Sequence, residues 1–90
     1  MSIQLLQRAI SYMEEHICET MDYADAAKYV SMSSYNFHRM FSFVAGMTAS
    51  EYVRNRRLTL AALELQETDI SVIDVAFKYG YETPESFSKA

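Results

Sequence analysis

Apolar residues recur every three or four positions along most of the chain, the spacing that lines one face of an α-helix. A first helix is predicted from about Ile3 to Ile17, with Ser2 as its N-cap. Its inner face consists of Ile3, Leu6, Ile10, Met13 and Ile17. A second helix is predicted to follow the N-cap Asp22 and to end at about Val30.

The middle of the chain has strong signals for helix ends. A third helix is predicted between Ser33 and Gly46, because a glycine can adopt the left-handed conformation that closes a helix. Its buried stripe is Phe37, Met40, Phe41 and Val44. Thr48 and Glu51 have the spacing of a capping box and begin a fourth helix, which extends to about Leu65. Its apolar positions, Ala62 and Leu63 among them, cover more than half of its circumference, so we expect it to pack on two sides.

Two shorter helices are predicted in the last third. One runs from about Val72 to Tyr79, is capped by Ser71 and is closed by Gly80. Thr83 as N-cap and Pro84 as first helical residue then begin a sixth helix. The pattern as a whole predicts an all-α fold.

Composition limits the domain count and the compartment. Ninety residues with two Gly and one Pro correspond to one small helical domain. The single cysteine, Cys18, forms no internal disulfide, which favours a reducing, cytoplasmic location. No run of apolar residues approaches the ~18 that suggest a membrane span, so no membrane partner is expected.

The charge is unevenly distributed. The formal net charge of −4 argues against a non-specific nucleic-acid coat, which would be basic overall. Residues 31–60, however, carry four arginines and a single acidic residue, Glu51, and so have a charge of 4 − 1 = +3. The positive charge is therefore concentrated in the middle third.

The second and third predicted helices have the spacing of a helix-turn-helix. Ala27 lies where the two helices touch, Ser31 lies at the turn, and Phe37 lies on the inner face of the following helix. A glycine is usual at the turn because the backbone there often needs a positive φ. Any compact helical protein can bring two helices together through a short turn, and that interpretation stays open for this segment alone.

The same pattern occurs a second time. Ala76 and Gly80 repeat the four-residue step from Ala27 to Ser31, and Phe87 repeats the core position of Phe37. The sequence therefore predicts two helix-turn-helix units that flank one long helix.

With this repeat, the sequence resembles the AraC/XylS family of bacterial transcription activators, whose DNA-binding domain has two such units. The resemblance lies in Ser33-Ser34-Tyr35-Asn36-Phe37-His38-Arg39-Met40-Phe41, Gly46, Glu51-Tyr52-Val53, Arg57-Leu58, Ala61, Ile73-Asp74-Val75-Ala76, Gly80-Tyr81 and Phe87. It implies an AraC-type DNA-binding domain over 1–90, with a first unit at about 22–45, a linker helix at about 49–65 and a second unit at about 71–90. The last helix is expected to be truncated and an effector domain to follow.

Polar residues on the third helix are the candidate base contacts. Tyr35, Asn36, His38 and Arg39 lie off the apolar stripe. Arg39 can donate twice to guanine, Asn36 can bracket adenine, and Tyr35 can pack on a thymine methyl. The resemblance places Tyr35, His38 and Arg39 on the family's principal base-contacting positions. Three alternatives stay open: a surface ion pair for Arg39, a solvated ring for His38 and a helix cap for Asn36.

The resemblance also implies contacts from the second unit, where Glu85, Ser86, Ser88 and Lys89 fall on the corresponding base-contacting positions. Phosphate contacts are expected from Ser33, Ser34, Arg54, Arg56 and Thr83. Arg57 is expected to be a structural pair partner instead. Since the positive charge is in the middle third, we expect the first unit to dominate binding.

These observations favour sequence-specific binding of double-stranded DNA by a bacterial transcription regulator, an activator by resemblance. RNA polymerase is a further expected partner, a small-molecule effector would act through a domain absent from these residues, and a cytoplasmic, nucleoid-associated location follows. No catalytic motif, metal site or cofactor site is predicted. The alternative is a helical protein-interaction module that has kept the fold and lost DNA binding.

Overall fold

The computed structural model describes residues 3–80, which contain five α-helices and no strand. They are α1 (Ile3–Glu15), α2 (Tyr23–Tyr29), α3 (Ser34–Ala45), α4 (Ala49–Glu67) and α5 (Val72–Lys78). The all-α prediction is confirmed. The predicted cap at Ser2 and the predicted sixth helix after Thr83 lie outside the described residues.

Local side-chain chemistry sets the helix starts, as the sequence predicted. The carboxylate of Asp22 accepts from the backbone N–H of Ala24 at 2.9 Å. Thr48 and Glu51 form the reciprocal capping box, in which each side chain accepts from the other's backbone N–H at 3.1 Å. Each such cap stabilises its helix by about 1 kcal/mol. Gly46 closes α3 with φ 76°, in the left-handed region.

Two apolar clusters lie along α4. The larger one packs α1, α2 and α3 on the first half of α4 and contains Leu6, Ala9, Met13, Ile17, Ala26, Ala27, Val30, Phe37, Met40, Phe41, Ala49 and Val53. The smaller one joins Ala61 of α4 to Val75 and Tyr79. Leu60 packs against both clusters. The fourth helix therefore packs against both clusters, the larger one along its first half and the smaller one farther on.

Some predicted details are wrong. α1 ends at Glu15, two residues before Ile17, because its last turn tightens to i→i−3 bonds such as His16 N–H to Met13 O. α4 continues two residues past Leu65. Ala62 and Leu63 are exposed although both are apolar, and neither belongs to a cluster.

Candidate nucleic-acid interface

The turn between α2 and α3 has the geometry that a helix-turn-helix requires. Ala27 is 1% exposed at the contact between the helices. Ser31 has φ 59° and is the only non-glycine residue with a positive φ among residues 3–80. Its N–H donates to Lys28 O at 2.9 Å, and the N–H of Met32 donates to Ala27 O at 2.9 Å. Serine thus adopts the left-handed conformation for which glycine is usual.

The second unit repeats this turn. Val30, the C-cap of α2, has φ −99° and ψ 15°, and Tyr79, the C-cap of α5, has φ −100° and ψ 18°. Each is followed by a left-handed residue, Ser31 and Gly80 respectively, with φ 59° and 87°. The N–H of Gly80 donates to Phe77 O as that of Ser31 does to Lys28 O. The internal repeat is therefore a repeat of backbone geometry as well as of residues.

One face of α3 is buried and the other is open. Phe37, Met40 and Phe41 are fully buried. Ser34, Tyr35, Asn36, His38 and Arg39 are all exposed on the remaining surface. α3 contains no acidic residue, so its open face has no carboxylate of its own to repel a phosphate. This is the helix that follows the turn, and its open face has the polar groups that can meet base edges.

Arg39 and Tyr35 form a pair on this open face. The Arg39 guanidinium carbon lies 5.6 Å from the centroid of the Tyr35 ring, a cation–π arrangement. Tyr35 is 69% exposed. Within residues 3–80 Arg39 makes no ion pair, so the alternative of a surface salt bridge finds no support there.

The structure decides the open alternative for Asn36. The N-cap of α3 is Ser33, whose hydroxyl accepts from the Asn36 backbone N–H at 3.1 Å. The cap interpretation of Asn36 is therefore wrong, and its side chain is exposed at the third position of the helix. His38 is held by rings on one side, with its centroid 5.8 Å from Tyr23 and 5.5 Å from Phe37.

The two arginines expected to contact phosphate differ in their surroundings. Arg54 is exposed on α4 and makes no ion pair within residues 3–80. Arg56 instead donates from Nε to Glu14 of α1 at 2.7 Å, and the Tyr52 hydroxyl donates to the same carboxylate oxygen at 2.7 Å. Burial and the bond to Glu14 raise the pKa of Tyr52 to about 12. A phosphate would have to compete with Glu14 for Arg56, so its main role in this structure is to fix α1 on α4.

Glu14 was missed by sequence reasoning. It is a half-buried carboxylate that accepts from Tyr52 and Arg56, 38 and 42 residues away. On the sequence it resembles the neighbouring Glu15, which is exposed, and no local signal separates the two.

A carboxylate on α4 also orients the second unit. Glu64 accepts from the Tyr79 hydroxyl at 2.7 Å and pairs with the Lys78 ammonium. Hydrogen bonds from Lys78 and Tyr79 lower the pKa of Glu64. The predicted contacts at Thr83, Glu85, Ser86, Ser88 and Lys89 lie outside the described residues.

Other classes of site find no support in the described part of the chain. Residues 3–80 contain no group of three or more His, Cys, Asp or Glu side chains placed to hold a metal ion. None of the helices in this range has the length and the apolar character that crossing a membrane requires.

The two turns, after α2 and after α5, are joined by the long helix α4, and this arrangement is typical of a class of DNA-binding proteins. Comparison with known proteins gives the same class. Residues 26–90 match the helix-turn-helix domain family. Regulatory protein SoxS of Salmonella typhimurium is 37% identical over 86 residues, which cover 96% of this chain and 80% of SoxS. An uncharacterized HTH-type transcriptional regulator of Bacillus subtilis, YbfP, is also 37% identical, and the chain spans 28% of its length.

Solved structures show the same fold. An AraC-type transcriptional regulator from Chromobacterium violaceum superposes with a TM-score of 0.90 at 31% identity, over 97% of this chain and 78% of that protein. The DNA-binding domain of AdpA, solved with a target DNA, superposes with a TM-score of 0.80 at 26% identity, over 92% of this chain and 74% of that one. The chain belongs to the AraC-type helix-turn-helix family of DNA-binding transcription regulators.

Proposed function

We propose that the chain binds specific sequences of double-stranded DNA by placing α3 in the major groove. The observation that carries this proposal is the open face of α3, where Arg39 is stacked on Tyr35 and no carboxylate is present on the helix. Arg39 donates to guanine O6 and N7, and Tyr35 packs on a neighbouring thymine methyl. His38 and Asn36, exposed on the same helix, complete the set of base contacts.

Phosphate contacts then fix the position of α3 on the duplex. Ser33 and Ser34 begin the helix, where free backbone N–H groups point outwards and favour an anion. Arg54, exposed on α4, adds a charge to a neighbouring phosphate. Contacts of this kind set register and affinity, whereas base contacts set sequence preference.

The second unit takes part through the helix predicted after Thr83. The matched turns at Ser31 and Gly80 support this assignment, since equivalent turns lead into equivalent helices. On the sequence, Thr83 is the phosphate contact and Glu85, Ser86, Ser88 and Lys89 are the base contacts of this unit. Its acidic surroundings give it the smaller share of the binding energy.

The biological role that fits this chemistry is activation of transcription in the bacterial cytoplasm, with RNA polymerase as a protein partner. Family membership and the SoxS similarity support this assignment. An effector, where there is one, would act through residues outside this domain.

Selection of duplexes from a random pool, followed by gel shift, tests DNA binding. We expect the selected duplex to bind at least about a thousandfold more tightly than a scrambled one. The affinity should fall steeply with salt, because each neutralised phosphate contributes about −0.9 to the slope of log K against log salt. A chain that shifts no duplex at low salt would instead be the protein-interaction module.

A further inference from the structure

Arg57, in the middle of α4, holds the segment that follows α1. Its Nε donates to the carbonyl of Ile17 at 2.9 Å and its Nη2 donates to the carbonyl of Glu19 at 2.7 Å. These carbonyls lie in the segment between α1 and α2 that leads into the first unit, and they are 40 and 38 residues away in sequence. One planar guanidinium therefore fixes a loop of three residues at two points.

The remaining edge of the same guanidinium faces the second unit. A Cβ placed on Gly80 would lie 4.0 Å from Nη1 of Arg57. Gly80 is the left-handed turn residue after α5, and its conformation sets the direction in which the chain leaves α5. Arg57 thus stands between the first unit and the turn of the second one.

A third neighbour lies at the start of α2. Burial raises the pKa of the Tyr23 phenol, and the positive charge of Arg57 opposes that rise. Tyr23 is also in ring contact with His38 on α3. Arg57 therefore holds the loop after α1 by hydrogen bonds and acts on Tyr23 through its charge.

We infer that Arg57 is a positioning residue that sets the orientation of the two helix-turn-helix units relative to each other. This inference rests on the proposed function, because a fixed orientation matters only if both units engage one duplex. Once the first unit is bound, a preset orientation places the second unit at the next major groove. This raises the effective concentration of the second unit at that groove and lowers the entropy cost of its binding. Arg57 itself does not contact DNA.

The first test needs no DNA. In a Cys18→Ser background, spin labels are attached through Lys28→Cys on α2 and Ile73→Cys on α5, both exposed sites. Pulsed dipolar spectroscopy then compares the distance distribution with Arg57 intact and with Arg57→Met, which keeps an unbranched side chain and removes the donors. We expect the distribution to broaden or to shift in Arg57→Met.

Arg8→Met is the matched control, because it removes the same charge from an arginine whose contacts, with the carbonyl and ring of Tyr29, join α1 to α2 and involve neither α4 nor α5. It should keep the original distance distribution. Arg57→Lys keeps the positive charge but cannot bond the carbonyls of Ile17 and Glu19 with one planar group. It replaces Arg57→Met in the experiment if that variant does not fold. We expect Arg57→Lys to broaden the distance distribution less than Arg57→Met.

The second test measures DNA affinity. A duplex selected by the original chain is compared with the same duplex in which one half-site is scrambled. Arg57→Met should reduce the preference for the complete site about tenfold and change the affinity for the single half-site less than about twofold. A general loss of folding would lower both affinities together.

The two ways of failing are distinguishable. If the original chain itself shows no preference for the complete site, the two-unit mode of binding is overturned. If that preference exists and Arg57→Met keeps both it and a narrow distance distribution, the role of Arg57 is overturned while DNA binding stands.

Discussion

The guanidinium of Arg39 lies over the ring of Tyr35, one helical turn earlier on the open face of α3. Such a stack stabilises an exposed pair by about 0.5–1 kcal/mol and restricts the rotamers of the arginine. The fork of Arg39 is therefore partly ordered in the free chain, which would reduce the entropy lost in the guanine contact that we propose.

Replacing Arg39 should alter sequence preference. We expect Arg39→Ala to weaken binding to the selected duplex by about 1–3 kcal/mol and to relax the preference at one base pair, because a bidentate guanine contact is lost. Quantitative gel shifts on a set of single-base variants of the duplex provide the measurement.

Arg54→Ala is the comparison for this prediction. It removes one phosphate contact, so it should weaken all duplexes about equally and reduce the salt slope by about one. Unchanged affinity and unchanged base preference in Arg39→Ala would contradict the placement of α3 in the major groove.

Burial predicts opposite outcomes for two phenylalanines on α3. Phe37 is fully buried, and Phe37→Ala should cost about 3–5 kcal/mol of unfolding free energy, which in a domain this small can abolish folding. Phe43 is 83% exposed, so Phe43→Ala should change stability by less than about 0.5 kcal/mol. Urea unfolding followed by circular dichroism measures both, and equal losses would show that the register of α3 is wrong.

Replacing the left-handed turn residue Ser31 by glycine should stabilise the fold. Ser31 has φ 59°, a conformation that costs a non-glycine residue about 1–2 kcal/mol. Glycine avoids this steric cost but loses about 0.5–1 kcal/mol more backbone entropy on folding. Ser31→Gly should therefore stabilise the fold by about 0.5–1 kcal/mol, as measured by thermal or urea unfolding.

Gly46 offers the converse substitution. It has φ 76°, and a Cβ there would meet nothing within 4 Å, so Gly46→Ala should cost about 1 kcal/mol through backbone conformation alone. A destabilised Ser31→Gly variant would show that the serine side chain has a role at the turn that outweighs its strain.

Stability should fall at alkaline pH. The pKa of Tyr52 is about 12 in the folded chain against the ordinary value of 10.0, so the unfolded chain loses its proton first as the pH rises. The stabilisation is complete below pH 10 and is lost between pH 10 and 12. Allowing for solvent screening at this half-buried phenol, the loss is about 1 kcal/mol.

Urea unfolding at several pH values from 9 upwards tests this expectation. Tyr52→Phe should show a shallower fall than the original chain, because its side chain has no proton to lose. A residual fall should remain, since burial also raises the pKa of Tyr79. Identical slopes for the two proteins would contradict the role of the bond from Tyr52 to Glu14.

The length of α4 predicts that DNA bends. Its 19 residues span ~28 Å at ~1.5 Å each, whereas successive major grooves on one side of straight B-DNA are ~34 Å apart. Either the duplex bends toward the protein, at a cost of order 1–6 kcal/mol, or one unit engages at a time. We expect a partial bend in which the first unit dominates.

Circular-permutation gel shifts on the selected duplex measure the bend, and footprinting shows which grooves are protected. A straight duplex with both grooves protected would contradict the argument from the rigid helix. The same duplex without one half-site is the control, because it should show little or no bend.

Local chemistry made much of this fold predictable. The caps at Asp22, Thr48 and Ser71 were predicted because each side chain bonds a backbone N–H two or three residues away. The left-handed turns at residues 31 and 80 were predictable from their four-residue distance to a buried alanine. Such interactions depend on near neighbours only.

The roles of the charged residues on α4 depended on the tertiary structure. Arg54, Arg56 and Arg57 lie within four positions of one another, yet one is exposed, one pairs with Glu14, and one holds the carbonyls of Ile17 and Glu19. Those partners are about 40 residues away, and only packing α1 across α4 brings them within bonding distance. The sequence by itself determined the helices, their caps and the repeated turn, because these follow from periodicity and short-range hydrogen bonds. The tertiary structure alone decided which of these arginines bond to other helices or loops and which is left exposed without an ion pair among residues 3–80, because a charge's role depends on the groups that folding places around it.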